Sequence, residues 1–300
     1  MQSKFINALL LSFLTVGAIL VVTTTTHAQR GGGGNIRTDT RILYHDGPVM
    51  PGTSTVYFIW YGNWAGNTAT EILPNLASGI GGSPYFMINT TYPNANGVAP
   101  SGGILFAGSV SDPHSLGPTL SVENIRQVVA NQIETFNLPL DTAGIYIVIG
   151  SDDVTDIRPD GSTFCTPGTT PHHGVATVSG SSVKYGYLGA ANRCPTSAGP
   201  QFVAADGTLL PTPNGNFGAD AMASSLAHLL NVIVTNPLGY GGWFDRYGLE
   251  NSAKCAGKFG TTFISENGAR ANTWFGGRAY LIQQNWINER RGRCVLSVTE

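Results

Sequence analysis

The segment from Ser224 to Pro237 places a single histidine, His228, in the middle of an apolar helical pattern. A hydrolytic zinc site needs about three protein ligands, an open position for water, and a base that takes the proton from that water. On a helix that carries the first ligand at His228, the base would follow at position 229 and a second ligand would lie one turn later at position 232. These positions hold Leu229 and Val232, which neither bind a metal nor accept a proton.

Two other residues are candidate ligands that the fold could bring to His228. His173 lies in a Pro- and Thr-rich stretch, and Glu250 follows a segment rich in Gly and Tyr. The spacing does not fix the distances between the three side chains, so a hydrolase with atypical ligands and residual zinc stays an alternative. The interpretation that we favour has no metal and no cofactor. In it His228 is a buried histidine with a hydrogen-bond partner, Glu250 belongs to a local loop network, and His172 and His173 are a solvent-exposed pair in an irregular loop.

Residues 1–28 have the pattern of a secretory signal peptide. Lys4 precedes the apolar run Phe5–Val22, and Thr26 and Ala28 are the small residues of a cleavage site. A transmembrane anchor is the alternative, because the run is nearly long enough to span a bilayer. The small residues favour cleavage, which predicts a secreted chain without a membrane attachment. A flexible Gly-rich lead-in over residues 29–43 and one domain over residues 44–300 would follow.

Charge and cysteine content agree with an extracellular protein. Charged residues make up 11% of the chain and the net charge is −2, so no basic surface is available to bind nucleic acid or anionic lipid. The four cysteines include no C-x-x-C pair, which favours two disulfides over a zinc site. Three pairings are possible, and the shortest loops favour Cys165–Cys194 and Cys255–Cys294.

Two surface features are predicted from short motifs. Asn89 begins an Asn-Thr-Thr sequon, which predicts a glycosylated, solvent-facing loop. Trp60, Tyr61 and Trp64 lie close together in sequence, and aromatic rings on a surface stack on sugars. Strand alternation places Trp60 in the core and Tyr61 on the opposite side. A carbohydrate-binding wall protein is therefore a further alternative.

The order of apolar patterns predicts an α+β domain in which a buried helix carries His228. Ser121 is the expected cap of the second helix and Asp220 that of the His228 helix, which Pro237 ends. The predicted strands are Thr55–Tyr61, Tyr85–Asn89, Gly103–Gly108, Gly144–Gly150, Gly174–Val178 and Val183–Leu188. The predicted helices are Ala69–Leu76, Val122–Phe136, the segment from Asp220 to Pro237, and Trp274–Ile287.

Five segments together resemble the phosphate-induced protein / EXORDIUM family. They are YHDGPVM from Tyr44, IYIVIGSDDV from Ile145, FCTPGTTPHHG from Phe164, the segment Asn214–Pro237, and KCAGKFG from Lys254. The resemblance implies a secreted protein of the apoplast or cell wall with a role in growth or stress. Members of that family carry further cysteines near the positions of Gly168 and Ala198. Their joint absence here agrees with the two disulfides named above.

A more distant resemblance connects the same helix with secreted zinc peptidases that carry a His-Glu-x-x-Glu helix. This sequence keeps eight matching residues and replaces both glutamates, and it has Asn236 where an aspartate is expected. The matching residues are His228, Thr235, Pro237, Trp243, Asp245, Glu250, Lys254 and Cys255. The likeness implies a zincin-like single domain with a mixed sheet and a degenerate metallopeptidase-like site. The expected function is then non-enzymatic binding of an extracellular protein or a wall polysaccharide.

Overall fold

A mixed sheet with helices on both faces forms the centre of the protein. The computed structural model of the chain describes residues 41–289 and 292–300. The predicted signal peptide and residues 29–40 of the predicted lead-in lie outside the described residues. Within the described part, the α-helices are α1 (Ala69–Ile80), α2 (Val122–Glu134), α3 (Pro195–Ala198) and α4 (Phe217–Thr235).

The strands of the described residues are numbered in chain order. The first eight are β1 (Leu43–Tyr44), β2 (Gly52–Tyr61), β3 (Pro100–Asp112), β4 (Thr119–Ser121), β5 (Ile145–Gly150), β6 (Thr155–Ile157), β7 (His172–Val178) and β8 (Ser181–Leu188). The others are β9 (Trp243–Phe244), β10 (Phe263–Ile264), β11 (Arg270–Ala271), β12 (Thr273–Phe275), β13 (Arg278–Tyr280), β14 (Asn285–Ile287) and β15 (Arg293–Val295).

Five of these strands form the central sheet in the order β3-β2-β5-β8-β7. The first four are parallel, and β7 runs antiparallel to β8 as the first strand of a hairpin. The remaining strands pair in short two-stranded ladders. The α+β class and the mixed sheet predicted from the sequence are therefore confirmed.

The two central strands, β2 and β5, are covered on both faces. Every residue of β5 is buried, as is every residue of β2 from Val56 onward. Arg126 of α2 lies beside Tyr185 on one face of β8, whereas the next residue, Gly186, lies against Leu229 of α4. Because successive strand residues point to opposite faces, α2 and α4 cover opposite sides of the sheet. This double cover explains why the sequence of β5 is a continuous apolar run.

Helix α4 is buried along nearly its whole circumference. It is long and apolar enough to cross a membrane, but 89% of its most apolar window is buried inside the protein, as expected of a core helix. Asn216, rather than the predicted Asp220, caps its N-terminus by accepting a hydrogen bond from the Ala219 amide (3.0 Å). The Asp220 carboxylate instead accepts hydrogen bonds from the backbone and side chain of Asn214.

The chain beyond α4 contains little regular structure. Within the described residues it forms three short antiparallel hairpins, β10–β11, β12–β13 and β14–β15. A disulfide between Cys255 and Cys294 joins the start and the end of this region, and a second disulfide joins Cys165 and Cys194. Both pairings are those favoured by loop length, so this prediction is confirmed.

Two predicted elements are wrong. The predicted strand Tyr85–Asn89 is a 3₁₀ helix, Phe86–Thr91, in which the side chains of Asn89, Thr90 and Thr91 each donate to the carbonyl three residues earlier. The predicted helix Trp274–Ile287 is the β12–β13 hairpin followed by β14. Gly276 and Gly277 both have positive φ (52° and 79°), which is the backbone of a two-residue hairpin turn and ends any helix at that point.

Other predicted elements are confirmed with small shifts of their ends. Strands β2, β5, β7 and β8 and helices α1 and α2 cover the segments that the apolar pattern indicated, and the predicted strand Gly103–Gly108 lies within β3. Ser121 caps α2 as predicted, since its hydroxyl accepts a hydrogen bond from the Asn124 amide (3.1 Å). The histidines at 172 and 173 begin β7 rather than lying in an irregular loop, so that part of the prediction is wrong.

Candidate functional site

His228 is buried near the middle of α4 and has a specific hydrogen-bond partner. Its side chain is 4% exposed. The Gln283 amide nitrogen lies 3.0 Å from His228 Nδ1 and 2.8 Å from the Ser252 carbonyl. The bond to the carbonyl identifies this nitrogen as the NH₂ group of Gln283, which donates hydrogen bonds and accepts none. It therefore donates to His228 Nδ1 as well, and Nδ1 carries no proton. The lone pair of Nδ1 is engaged, and the proton of the neutral ring resides on Nε2.

The surroundings of His228 keep the imidazole neutral. Burial lowers its pKa to about 4, Glu250 opposes the decrease and His173 adds to it. A histidine without such surroundings has a pKa of about 6.5. His228 is therefore uncharged at neutral pH.

His173 and Glu250 do lie beside each other in the folded chain. His173 Nε2 is 3.1 Å from Glu250 Oε1, and the two side chains are 6% and 5% exposed. Glu250 Oε1 also accepts a hydrogen bond of 2.7 Å from the Asn236 amide. Burial would raise the pKa of Glu250, but the His173 charge, together with the hydrogen bonds from His173 and Asn236, outweighs burial and lowers it. The carboxylate is thus ionised and held between two neighbours.

His173 and Glu250 are in direct contact, and both influence the pKa of the buried His228. Three separate elements supply the members of this group: β7 carries His173, α4 carries His228, and the loop after β9 carries Glu250. The expectation that His173 is solvent-exposed is wrong, because this loop and α4 cover its ring. The expectation that Glu250 takes part in a local loop network is consistent with its bond to Asn236.

Leu229 and Val232, at the two positions where a zinc peptidase has glutamates, pack against apolar side chains of the core. Leu229 and Val232 are 0% and 1% exposed and belong to the main core. Leu229 packs directly on the sheet: a Cβ added at Gly186 would lie only 2.6 Å from Leu229 Cδ2. A carboxylate at position 229 would therefore be aimed at the packed face of β8 and not at a water molecule.

The buried group does not fit a hydrolytic zinc site. Among the described residues, no group of three or more His, Cys, Asp and Glu side chains has a metal-binding arrangement. His228 Nδ1 is engaged by Gln283, and Glu250 Oε1 accepts from His173 and Asn236. These two atoms are held by partners within the core, and Leu229 stands where a zinc peptidase would have its general base.

A network of four asparagines lies next to this group and was not predicted from the sequence. Asn231 Nδ2 donates to the Tyr85 hydroxyl (2.9 Å) and to Ser252 Oγ (3.1 Å), while its Oδ1 accepts from Asn89 (2.7 Å). Asn251 and Asn285 complete the network by donating to Asn89 Oδ1. All four asparagines are 0% exposed. The sequence did contain an indication of this network, because Asn231 is a polar residue in a helix that is apolar on nearly every side.

The position of Asn89 overturns the prediction of a solvent-facing sequon. Asn89 is 0% exposed, donates to the Phe86 carbonyl and to Asn231 Oδ1, and accepts from two other asparagines. A glycan attached at its amide nitrogen would replace a hydrogen of the network and would have no path to solvent. The Asn89 side chain is therefore part of the polar network of the core, and glycosylation of the sequon stays a prediction.

A second buried polar cluster surrounds His172 at the other side of β7. The ring lies 5.5 Å from the Tyr187 ring. Burial lowers the pKa of His172 to about 3, with Arg158 and His173 adding to the decrease. Neither ring nitrogen has a hydrogen-bond partner among the described residues, and the Tyr187 hydroxyl has none either. His172 is therefore uncharged at neutral pH, as His228 is.

The aromatic residues of β2 do not form a sugar-binding surface. Trp60, Tyr61 and Trp64 are 4%, 0% and 8% exposed. Trp60 points into the core as predicted, and its ring packs edge-on against Trp64 at 5.0 Å. The Trp64 indole nitrogen is directed inward and donates to the carbonyls of Tyr61 and Ile149. The prediction that these residues present aromatic rings to sugars is wrong.

Two clefts on the surface of the described part of the chain are not lined by His173, His228 or Glu250. The first, of about 360 Å³, lies at the N-termini of α1 and α4 and is lined by amide and hydroxyl side chains, among them Asn67, Thr68, Asn192 and Asn216. The second, of about 480 Å³, lies between the segment before the 3₁₀ helix and the hairpins that follow α4. The second cleft contains the stacked aromatic pair Phe263 and Trp274.

Comparison with known proteins gives consistent matches over most of the chain. The family model described as "Phosphate-induced protein 1 conserved region" matches residues 42–286. Protein EXORDIUM-like 5 of Arabidopsis thaliana is 28% identical over 276 residues, covering 81% of this chain and 74% of that protein. Protein EXORDIUM-like 3 of the same plant is 28% identical over 278 residues, covering 82% and 80%. No solved structure gives a significant match.

The depressed pKa of His228 predicts a loss of stability in mild acid. Below pH 6.5 the unfolded chain binds a proton at His228, whereas the folded chain does so only near pH 4. The free energy of unfolding therefore falls as the pH drops through this window, by ~2 kcal/mol for this group between pH 7 and pH 5. In His228→Asn, which keeps an acceptor for Gln283, urea unfolding at the two pH values should show a decrease smaller by that amount. The exposed His45→Asn is the control, and an unchanged pH dependence in His228→Asn would contradict the assignment.

The asparagine network predicts that Asn231→Ala strongly destabilises the protein. The substitution removes hydrogen bonds to Asn89, Tyr85 and Ser252 and leaves these polar groups buried. The free energy of unfolding should fall by ~3–5 kcal/mol, since each buried polar group without a partner costs ~1–3 kcal/mol. Urea unfolding measures the change, with the exposed Asn96→Ala as the matched control. Equal effects of the two substitutions would show that the network does not stabilise the fold.

Proposed function

The chain belongs to the phosphate-induced protein 1 family, and from this we propose that it is a secreted, non-enzymatic extracellular protein of the EXORDIUM type. It acts by binding a partner in the cell wall or apoplast. The family model covers most of the described residues, and both Arabidopsis relatives are matched over most of their length. The proposal includes a role in growth or stress, which the resemblance to EXORDIUM-type proteins implies.

The observation that carries the non-enzymatic part of the proposal is the packing of Leu229. Loss of a general base removes a factor of about 10²–10⁴ from a reaction rate. At the position where the base would follow His228, the leucine side chain fills the space between α4 and Gly186. Glu250, the carboxylate that the sequence offers as a candidate ligand, is hydrogen-bonded by His173 and Asn236. We interpret the group as a degenerate metallopeptidase-like site whose residues now stabilise the core.

The disulfides support the extracellular part of the proposal. Both bridges join segments that are far apart in sequence, 29 and 39 residues, and such bonds persist in oxidising compartments. All four cysteines are paired, and no free thiol is present among the described residues. Together with the predicted signal peptide over residues 1–28, this favours export through the secretory pathway.

One observation favours a second candidate function, a zinc-dependent hydrolase with atypical ligands. The fold brings His173 and Glu250 into contact and places both close enough to His228 to affect its pKa. Binding of a metal by these three side chains would require Gln283 to release Nδ1, or the ring to offer Nε2, and would require Asn236 to move. We favour the binding protein because each of these changes would break a hydrogen bond inside the core.

Secretion is tested by expressing the full chain in a eukaryotic host and sequencing the N-terminus of the protein in the medium. Removal of the signal after Ala28 predicts Gln29 as the first residue. A substitution of Ala28→Arg should block cleavage there, because the signal peptidase accepts only small residues at this position. Retention of the unaltered chain inside the cell, or export with residues 1–28 attached, would contradict the proposal.

Absence of metallohydrolase function is tested on the same secreted protein by elemental analysis and peptide cleavage. We expect no stoichiometric zinc, and no difference in zinc between the wild type, His228→Asn and the exposed control His45→Asn. We also expect no cleavage of a mixed peptide library. Cleavage that a chelator abolishes, together with zinc that is lost in His228→Asn but kept in His45→Asn, would establish the second candidate instead.

A further inference from the structure

The second cleft is bounded by elements that hold it in a fixed shape. The β12–β13 hairpin forms one wall and packs on α1, where the Asn75 amide donates to the Gly276 carbonyl (2.9 Å). The approach is close, since a Cβ added at Gly79 of α1 would lie 2.2 Å from the Gly276 nitrogen. The buried rings of Tyr85 and Phe275 line the base of the cleft. The site is therefore formed before any ligand arrives, which reduces the entropy lost on binding.

A flat aromatic surface lies at the opening of this cleft. The rings of Phe263 and Trp274 are parallel within 3°, with their centroids 5.7 Å apart, which is an offset stack. Trp274 is 54% exposed, whereas Trp60, Trp64 and Trp286 are at most 8% exposed. Because Phe263 supports Trp274 from its side, the indole is held in place while much of its surface stays in water.

Uncharged hydroxyl groups surround the aromatic pair. Thr261, Thr262 and Thr273 line the cleft, and their hydroxyls make no hydrogen bond with other groups of the described chain. Each of these hydroxyls both donates and accepts. The wall of the cleft thus combines an apolar plane with hydrogen-bonding groups that are not used by the fold.

The charge of the cleft selects against an anionic ligand. Glu300 lines it, and no Lys, Arg or His side chain is among the described residues of its wall. A carboxylate-bearing polysaccharide would meet repulsion without a compensating cation. A neutral sugar ring, with a flat C–H face and hydroxyls around its edge, matches both the aromatic plane and the threonines.

We propose that the second cleft, which lies between residues 83–85 and strands β10 and β12, binds a neutral, equatorially linked pyranose chain, with Trp274 stacking on one sugar ring. This inference rests on the proposed function, because it identifies the wall component that a secreted, non-enzymatic protein would bind. The proposed sugar contact is therefore made by Phe263 and Trp274, and not by the buried residues Trp60, Tyr61 and Trp64.

Binding is tested with the secreted full chain and three soluble hexasaccharides, those of β-1,4-linked glucose, xylose and mannose. We expect at least one of them to bind, as measured by isothermal titration calorimetry, and to quench the indole fluorescence. Trp274→Ala should weaken this binding by about tenfold or more, since a stacked aromatic contact is worth up to ~1.5 kcal/mol beyond its buried area. The matched control is Tyr247→Ala, which removes an exposed aromatic ring (53% exposed) outside the cleft, and its affinity should equal that of the wild type.

Three outcomes would overturn the proposal: binding to none of the three hexasaccharides, equal affinity of Trp274→Ala and the wild type, or tighter binding to oligogalacturonate than to the neutral sugars. Circular dichroism verifies that Trp274→Ala is folded, as expected for an exposed side chain. Failure here would leave the proposed function intact, because secretion and the absence of metallohydrolase activity are measured without any sugar. Conversely, a chain that binds sugar but is not secreted, or that cleaves peptides with zinc, would contradict the proposed function and not the sugar site.

Discussion

Complete burial of α4 is the constraint on which the rest of the structure depends. In a helix with one exposed face, water forms hydrogen bonds with the polar side chains. Helix α4 has no such face, because the sheet, α1 and the chain that follows it enclose it. His228, Asn231 and Asn236 must therefore find partners inside the protein, because a buried polar group without one is costly. They find them in Gln283, Ser252 and Glu250, all of which come from the irregular C-terminal region. Polar contacts with α4 thus determine how a region with little regular structure is attached.

The same constraint accounts for the chemistry of the His228 group. A histidine and a glutamate that approach each other inside a protein resemble catalytic machinery, and their pKa values are shifted as in many active sites. In this protein the shifts follow from burial and from hydrogen bonds within the core. The side chains are satisfied by one another and by amides, and Leu229 occupies the volume that a reactive group would need. Shifted pKa values therefore occur in structural polar clusters as well as in active sites.

The sequence was most informative where one local rule determines the outcome. The continuous apolar run of β5 requires burial on both faces, the spacing of α2 requires an amphipathic helix, and loop length was enough to select the disulfides. Prediction failed where long-range contacts decide. Asn89 matches a sequon, but its environment is set by Asn231, which lies 142 residues away. The predicted helix over Trp274–Ile287 failed for a local reason, because Gly276 and Gly277 adopt positive φ and fold the chain into a hairpin. The exposed aromatic pair could not be recognised, because Phe263 and Trp274 meet only once both hairpins have formed.

The attachment of the C-terminal region to α4 also determines when the protein can fold during its synthesis. The central sheet is complete in the chain once β8 has been made, and α4 follows soon after. The groups that satisfy Asn231 and His228, Ser252 and Gln283, are translated later, and Cys294 is translated later still. Until they emerge from the ribosome, the apolar helix carries polar groups without partners and lacks its cover. Throughout this interval the nascent chain holds a long apolar helix without its cover, and exposed apolar surface of this kind makes partly folded chains prone to aggregate.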